Sequence, residues 1–346
     1  MSRQLQSQQT GHVRMNLVGD VMLGRSPKMF FGNPDLNIWG DTRGIFREQD
    51  VNVINLETPI VAEMDPWPGK AVTYGMPQEH AAVLQGIRPA FANIANNHIL
   101  DQRHAGAATT VRALDDMGIL HAGVATTVEG AMEEKVLERG ERTFVFITAA
   151  DYPRNWDIRR RARFGKYGVW QFHAGAKGDL ELIARVKQLR LKYPAAVLVL
   201  SVHWGSNWVK GFVAPQETRE LARNLVRAGV DIIHGTSSHH IMPVEQIEVG
   251  GRRGIVFYGL GEFIDDYGTE EEYRSNLGML GQVSVPPQGP PELVGVLPVK
   301  ITSVRGRRGH RVGRQVNLVP QQTEPYSDYQ FVQRVANMRP VYAANA

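Results

Sequence analysis

A succession of short apolar stretches, each stopping at residues that carry chemistry, constrains this chain more than any other feature of its sequence. The stretches are Met15–Gly19, Val51–Asn55, Ala90–Ala95, Phe144–Ala149, Val197–Val202, Asp231–His234 and Ile255–Tyr258. Their length and near-continuous apolar character suit strands buried on both faces. Helical patterns lie between them. Ala105–Met117 stops before Gly118, and Asp179–Leu191 sets Leu180, Ile183, Val186 and Leu191 near one face. Gln216–Ala228 brings Leu221, Ala222, Leu225 and Val226 together and stops at Gly229. Strands alternating with helices predict a layered α/β fold.

Composition narrows the chemistry. Of 346 residues, 42% are hydrophobic and 21% charged, enough to build a packed core and to exclude wholesale disorder. There is no cysteine. That excludes disulfide scaffolds, iron–sulfur sites and thiol catalysis, and leaves any metal to His, Asp, Glu or Asn. The net charge of +4 is too small to signal a nucleic-acid partner. Met1–Arg14 has no apolar h-region, and the aliphatic run Ala195–Leu200 is far shorter than the ~20 residues of a membrane span. A cytoplasmic protein without a membrane span is expected, and no feature fixes an oligomeric state. Residues 1–11 read as a disordered N-terminal segment and 12–270 as the core domain. Residues 271–346 read as a C-terminal β extension packed on that core, with strands at Leu280–Val285 and Leu293–Ile301 around the Pro-rich turn Pro286–Pro291.

The polar residues cluster at strand ends. Asp20 follows the first strand, and Asn55-Leu56-Glu57 the second. Asn96-Asn97-His98 with Asp101 follows the third, and His203-Trp204-Gly205 the strand at Val197. His234, Thr236, His239 and His240 belong to the strand at Asp231, and Glu262, Asp265 and Asp266 to the one at Ile255. Open α/β sheets bind ligands at the carboxyl ends of their strands. Each residue has a plainer alternative: Asp20 as a turn or cap, Asn97 as a turn residue with positive φ, His203 packed beside Trp204. The convergence of so many strand ends outweighs those alternatives. His239 and His240 are adjacent, so on a strand only one of them enters a given site. Carboxylate, amide and imidazole ligands without thiolate suit Mn²⁺, Zn²⁺ or Fe²⁺. A carboxylate between two such metals ~3.5–4 Å apart bridges them and holds a hydroxide nucleophile, and a non-ligating His serves as general acid. Two Arg-rich stretches, Arg159–Arg163 and Arg305–Arg314, read either as solvated loops or as a rim that attracts anions. The pair Gly259 and Gly261 lacks the third glycine of a dinucleotide fingerprint.

In order and content these clusters resemble the CapA family, the capsule or poly-γ-glutamate synthesis proteins of the calcineurin-like metallophosphoesterase superfamily. The matching stretches include Gly19-Asp20-Val21-Met22-Leu23-Gly24-Arg25, Asn55-Leu56-Glu57-Thr58-Pro59, Asn96-Asn97-His98-Ile99-Leu100-Asp101, His203-Trp204-Gly205-Ser206-Asn207-Trp208, His234-Gly235-Thr236-Ser237-Ser238-His239-His240 and Gly261-Glu262-Phe263-Ile264-Asp265-Asp266, within roughly residues 12–270. The resemblance implies a four-layer α/β/β/α fold holding one or two divalent metals. It makes Asp20 a ligand of the first metal, Glu57 the bridging carboxylate, Asn97 and His203 ligands of the second, and His239 a ligand returning to the first. His98 takes the place of the catalytic His, oriented by Asp101. Arg25, Trp204 and Asn207 would meet substrate. Three departures stand out. Met22, two residues after Asp20, stands where the superfamily usually has a His, as is typical of this family. Thr236 occupies a position that is usually His, which puts a ligand of the second metal in doubt unless His234 or water substitutes. Glu262 stands where the family more often has Asn or Asp. Glu262, Thr236, His234 and His240 are therefore possible ligands or supports. The implied activity is hydrolysis of an anionic amide or phosphoester, small or polymeric, by metal-bound hydroxide. The alternatives are a non-catalytic accessory role in polymer synthesis or export, and a tailoring enzyme forming or breaking a small-molecule amide.

Overall fold

The computed structural model describes residues 11–172, 178–208, 211–266, 269–305, 311–324 and 327–338. The expected disordered segment thus lies, apart from Gly11, outside the described residues, as does the middle of the second Arg-rich stretch.

In chain order the strands that form the two main sheets begin with β1 (Val13–Val21), β2 (Val51–Leu56) and β3 (Phe91–Asn93). Helix α1 (Arg103–Asp116) leads to β4 (Leu120–Ala122), then β5 (Lys135–Arg139) and β6 (Arg142–Ala150). Next come α2 (Gly178–Lys192), β7 (Val197–His203), α3 (Gln216–Ala228), β8 (Ile232–Thr236), β9 (Val244–Val249), β10 (Arg252–Phe257) and β11 (Glu262–Ile264). The chain ends with β12 (Leu277–Val285), β13 (Glu292–Arg305), β14 (Arg311–Leu318) and α4 (Asp328–Ala336).

These strands make an eight-stranded sheet, β14-β13-β12-β1-β2-β3-β4 with β11 beside the end of β1, and a six-stranded sheet, β9-β10-β8-β7-β6-β5. Strands β1 to β4 run parallel in the first sheet, and β6, β7, β8 and β10 in the second. Alternation along the strands builds the layers. On β6 and β7, Phe144, Phe146, Val197 and Val199 face Met15, Leu17 and Val53 of the first sheet. Their neighbours Val145, Ile147, Leu198 and Leu200 face α2 and α3. Val18, Ile54 and Ile94 pack with Ala107 and Leu114 of α1 on the far side of the first sheet. The result is the expected α/β/β/α arrangement, and it explains the continuous apolar runs: both faces of each central strand are buried.

One amphipathic face differs from expectation. On α2 the buried residues are Leu182, Val186 and Leu189, whereas Leu180 and Leu191 are exposed. The spacing of four and then three places the first three residues on one stripe, and Leu180 falls off it. The C-terminal strands join the first sheet directly, with β12 antiparallel to β1.

Candidate metal centre

Register assembles the site. In the first sheet Asp20 pairs with Glu262 of β11 on one side and with Asn55 of β2 on the other, and Asn55 pairs with Asn93. The register shifts between Leu17 and Asp20, an irregularity that re-aims the strand end. Gly19 permits the close pairing with β11: a Cβ there would lie 1.8 Å from Gly261 O. In the second sheet His203 pairs with both Ala150 and Thr236. The carboxyl ends of the parallel strands of the two sheets therefore meet.

Asp20, Glu57 and His239 are buried, and each offers one ligand atom within 4.8 Å of the other two. His239 Nδ1 is 3.4 Å from Asp20 Oδ2 and 2.6 Å from Glu262 Oε1, and its Nε2 is 3.8 Å from Glu57 Oε1. His203 Nδ1 lies 3.9 Å from Glu57 Oε2. Asn55 holds both carboxylates, donating from Nδ2 to Asp20 Oδ1 at 2.7 Å and to Glu57 Oε2 at 2.9 Å. Its own Oδ1 accepts from Asn93 and Asn96. His239 has a φ of +56° and Ser237 one of +95°, strained backbone where the chain leaves β8.

The electrostatics call for a cation. Burial, followed by the charges of Asp20 and Glu262, pushes the Glu57 carboxyl well above its usual range. Burial likewise raises Asp20, opposed by His239 and Asn55. Glu57 Oε1 and Asn97 Oδ1 are buried without a hydrogen-bond partner. Closely packed carboxylates, imidazoles and orphaned oxygens form a donor set that fits a divalent metal.

His98 is buried, with Nδ1 2.5 Å from Asp101 Oδ2. Asp101 also accepts from Tyr74 N at 2.7 Å and, through Oδ1, from Lys70 Nζ. Lys70 reaches Asn97 O at 2.7 Å and packs over the Trp156 ring. Burial pushes His98 down to about 4; Asp101 opposes, and the charges of Lys70 and His239 reinforce it. Burial also holds His203 well below its ordinary value.

The remaining expected residues divide. Thr236 Oγ1 is 3.1 Å from His203 Nδ1 and donates to Val202 O, so it abuts the ring rather than the cluster. His234 spends both ring nitrogens elsewhere, on Ser201 Oγ at 2.8 Å and Val18 O at 2.7 Å. His240 turns away from the cluster toward Ser238 O and Gly211 O. Trp204 is buried, with Nε1 donating to Tyr258 O. Trp204 and Asn207 line a cavity of about 760 Å³ that Asn97 and His203 also border. Arg25 is exposed, and its charge is felt at Tyr74 and Asp266. Two arginines of the first Arg-rich stretch are engaged internally: Arg159 with Asp157 and Glu181, and Arg161 with Tyr167 O and over Trp67. Arg314 of the second binds Asp265.

Sequence reasoning missed Lys70 and Asp151. Asp151 follows β6, as the other site residues follow their strands; Gly205 N donates to its Oδ2 at 2.6 Å, and burial raises its carboxyl to about 6.

A family model described as bacterial capsule synthesis protein PGA_cap matches residues 14–267. The chain is 33% identical over 281 residues to the probable polyglutamine synthesis accessory protein of Mycobacterium tuberculosis, covering 78% of this chain and 71% of that one. It is 27% identical over 271 residues to the capsule biosynthesis protein CapA of Bacillus anthracis, covering 73% of this chain and 60% of that one. Among solved structures, the NAD nucleotidase of Haemophilus influenzae is similar at a TM-score of 0.48 and 11% identity, covering 87% of this chain and 53% of that one.

Proposed function

The chain belongs to the bacterial capsule synthesis protein family PGA_cap, and from that membership we propose that it is a metal-dependent hydrolase of an anionic amide or phosphoester. The observation that carries the reading is the buried convergence of Asp20, Glu57 and His239 from two different sheets. Asp20 and His239 would hold one divalent metal, Glu57 would bridge, and Asn97 and His203 would hold a second. The metal supplies Lewis acidity and a nucleophile at neutral pH.

The protein's own residues do the rest. Asp101 accepts a hydrogen bond from the Nδ1–H of His98 and fixes the ring, leaving Nε2 to accept a proton and return it to the leaving group. Lys70 ties Asp101 to the Asn97 carbonyl and so holds the proton-transfer pair against a ligand segment. Thr236 fixes the rotation of the His203 ring from behind. The names of the relatives make a polyglutamate-type or capsule polymer the first substrate class to try.

The test is turnover of a generic phosphodiester and of γ-glutamyl peptides by the purified chain with added Mn²⁺, Zn²⁺ or Fe²⁺. Metal-dependent turnover lost in both Asp20→Ala and His203→Ala is expected; no turnover on either class with any of the metals refutes the proposal. The similarity to a protein named as an accessory factor favours a second reading, non-catalytic polymer binding. On that reading, polymer binding and biological effect both survive His98→Ala.

A further inference from the structure

We propose that the cavity beside His203 is a subsite for a positively charged amino group of the substrate, with Asp151 as its anchor. The cavity measures about 760 Å³ and adjoins the metal centre through Asn97 and His203. Among the described residues, its charged lining consists of Asp151, Asp179 and Glu217 against Arg154, apart from the His203 imidazole. Asp179 and Glu217 stand in the first turns of α2 and α3, where each offsets the positive end of its own helix. Neither helix end is thereby left to attract an anion.

Asp151 has no such compensation. Its backbone N–H donates to His203 O at 3.1 Å, and its Oδ2 accepts from Gly205 N at 2.6 Å, which together fix the carboxylate. Its Oδ1 is buried and has no hydrogen-bond partner. Asp151 stands half-buried on the cavity wall, and its under-satisfied carboxylate favours a ligand that brings hydrogen-bond donors to it. An ammonium fits best: it is compact, carries only donors, and is attracted by aromatic faces such as those of Tyr152 and Trp208, which line the same cavity. A carboxylate or phosphate placed against Asp151 would instead be repelled. The scissile anion then faces the metal centre while a free amine on the same molecule occupies the cavity. This assignment deepens the hydrolase reading and rests on it for the reaction the amine serves.

Binding tests it without turnover. Isothermal titration of the full chain, both chelator-treated and Mn²⁺-loaded, would compare benzylamine, N-acetylbenzylamine and benzoate. Benzylamine is expected to bind. Acetylation of the amine, and separately Asp151→Asn, should each weaken binding at least about tenfold, or ~1.4 kcal/mol. The comparison of amine with acetylated amine on the unaltered protein needs no variant to fold. The proposal is overturned if the acetylated twin binds as well, if benzoate binds more tightly, if benzylamine does not bind, or if a folded Asp151→Asn variant binds benzylamine unchanged. Loss of amine selectivity leaves metal-dependent turnover standing as a separate result, and absent turnover leaves the binding comparison readable.

Discussion

The hydroxyl of Thr236 sits 3.1 Å from His203 Nδ1 and donates onward to Val202 O at 3.4 Å. On the proposed assignment of His203 as a metal ligand, Thr236 thus braces that ligand from behind. Residues in such positions typically contribute 10–100-fold to metal affinity. Thr236→Val is therefore expected to weaken Mn²⁺ binding by about that factor and Thr236→Ser to restore it, read by isothermal titration; wild-type affinity in the valine variant would end the argument. Asp101 supports His98 in a comparable way. Asp101→Asn should lower metal-dependent turnover by about 10²–10⁴ with metal content unchanged by elemental analysis; loss of metal as well would reassign Asp101 to the structure of the centre. The residues that carry these arguments were mostly legible because strand ends in an α/β fold expose side chains to one crevice, and Asp20, Glu57, Asn97, His203 and His239 all lie at such ends. Lys70 was not legible. It comes from an irregular segment, and only tertiary packing over Trp156 brings its ammonium to Asp101. Asp151 obeys the same strand-end rule, yet a single Asp with no ligand-type neighbour gives no pattern to read.

Between β1 and β8 the two sheets are tied by one imidazole. His234 bonds Val18 O across the sheet interface at 2.7 Å and Ser201 within its own sheet. The sequence leaves His234 as a possible ligand or support, a substitute for the histidine that Thr236 replaces; on the strand its side chain faces the space between the sheets, two residues short of the end. Burial pushes its pKa from 6.5 down to about 4. The folded state therefore holds the ring neutral while the unfolded chain takes up a proton below 6.5. Stability from this group is intact above pH 6.5 and is lost as pH falls toward 4, by on the order of 3 kcal/mol in full. His234→Gln, which keeps a donor and an acceptor, should unfold in urea with a smaller loss between pH 7.5 and pH 5 than wild type. Equal losses in the two proteins would remove His234 as the cause. At this scale the central strands were legible because alternate residues feed two different cores and leave an unbroken apolar run. The outer strands β5 and β9 were not. Lys135–Arg139 is only half-buried and Val244–Val249 has one buried residue, Ile247, so neither shows a run.

At the scale of the whole molecule, the candidate metal centre draws its proposed ligands from both sheets: Asp20, Glu57 and Asn97 from the first, His203 and His239 from the second. A cation held there would join the two halves; without one, the carboxylates of Asp20, Glu57 and Glu262, all from the first sheet, crowd one another in a buried space. Glu57 is the most informative probe. Its carboxyl is raised well above 4.5, by burial first and then by Asp20 and Glu262. A folded-state pKa above the unfolded one means stability present below 4.5 and lost as pH rises through the folded value. At pH 7.5, with a chelator present, Glu57→Gln should therefore be more stable than wild type, since the amide can still accept from Asn55 and carries no charge to desolvate. Saturating Mn²⁺ should reverse the order: a site filled at a thousand times its Kd adds about 4 kcal/mol to the wild type, and the variant, lacking the bridging charge, gains less. Paired urea melts with and without metal would show the two stability curves cross. Were Glu57→Gln less stable under both conditions, Glu57 would be a structural residue and the carboxylate cluster would not be a metal site held at the expense of the fold. The crossing separates a site built for a cation from a buried acid that packing alone has tolerated.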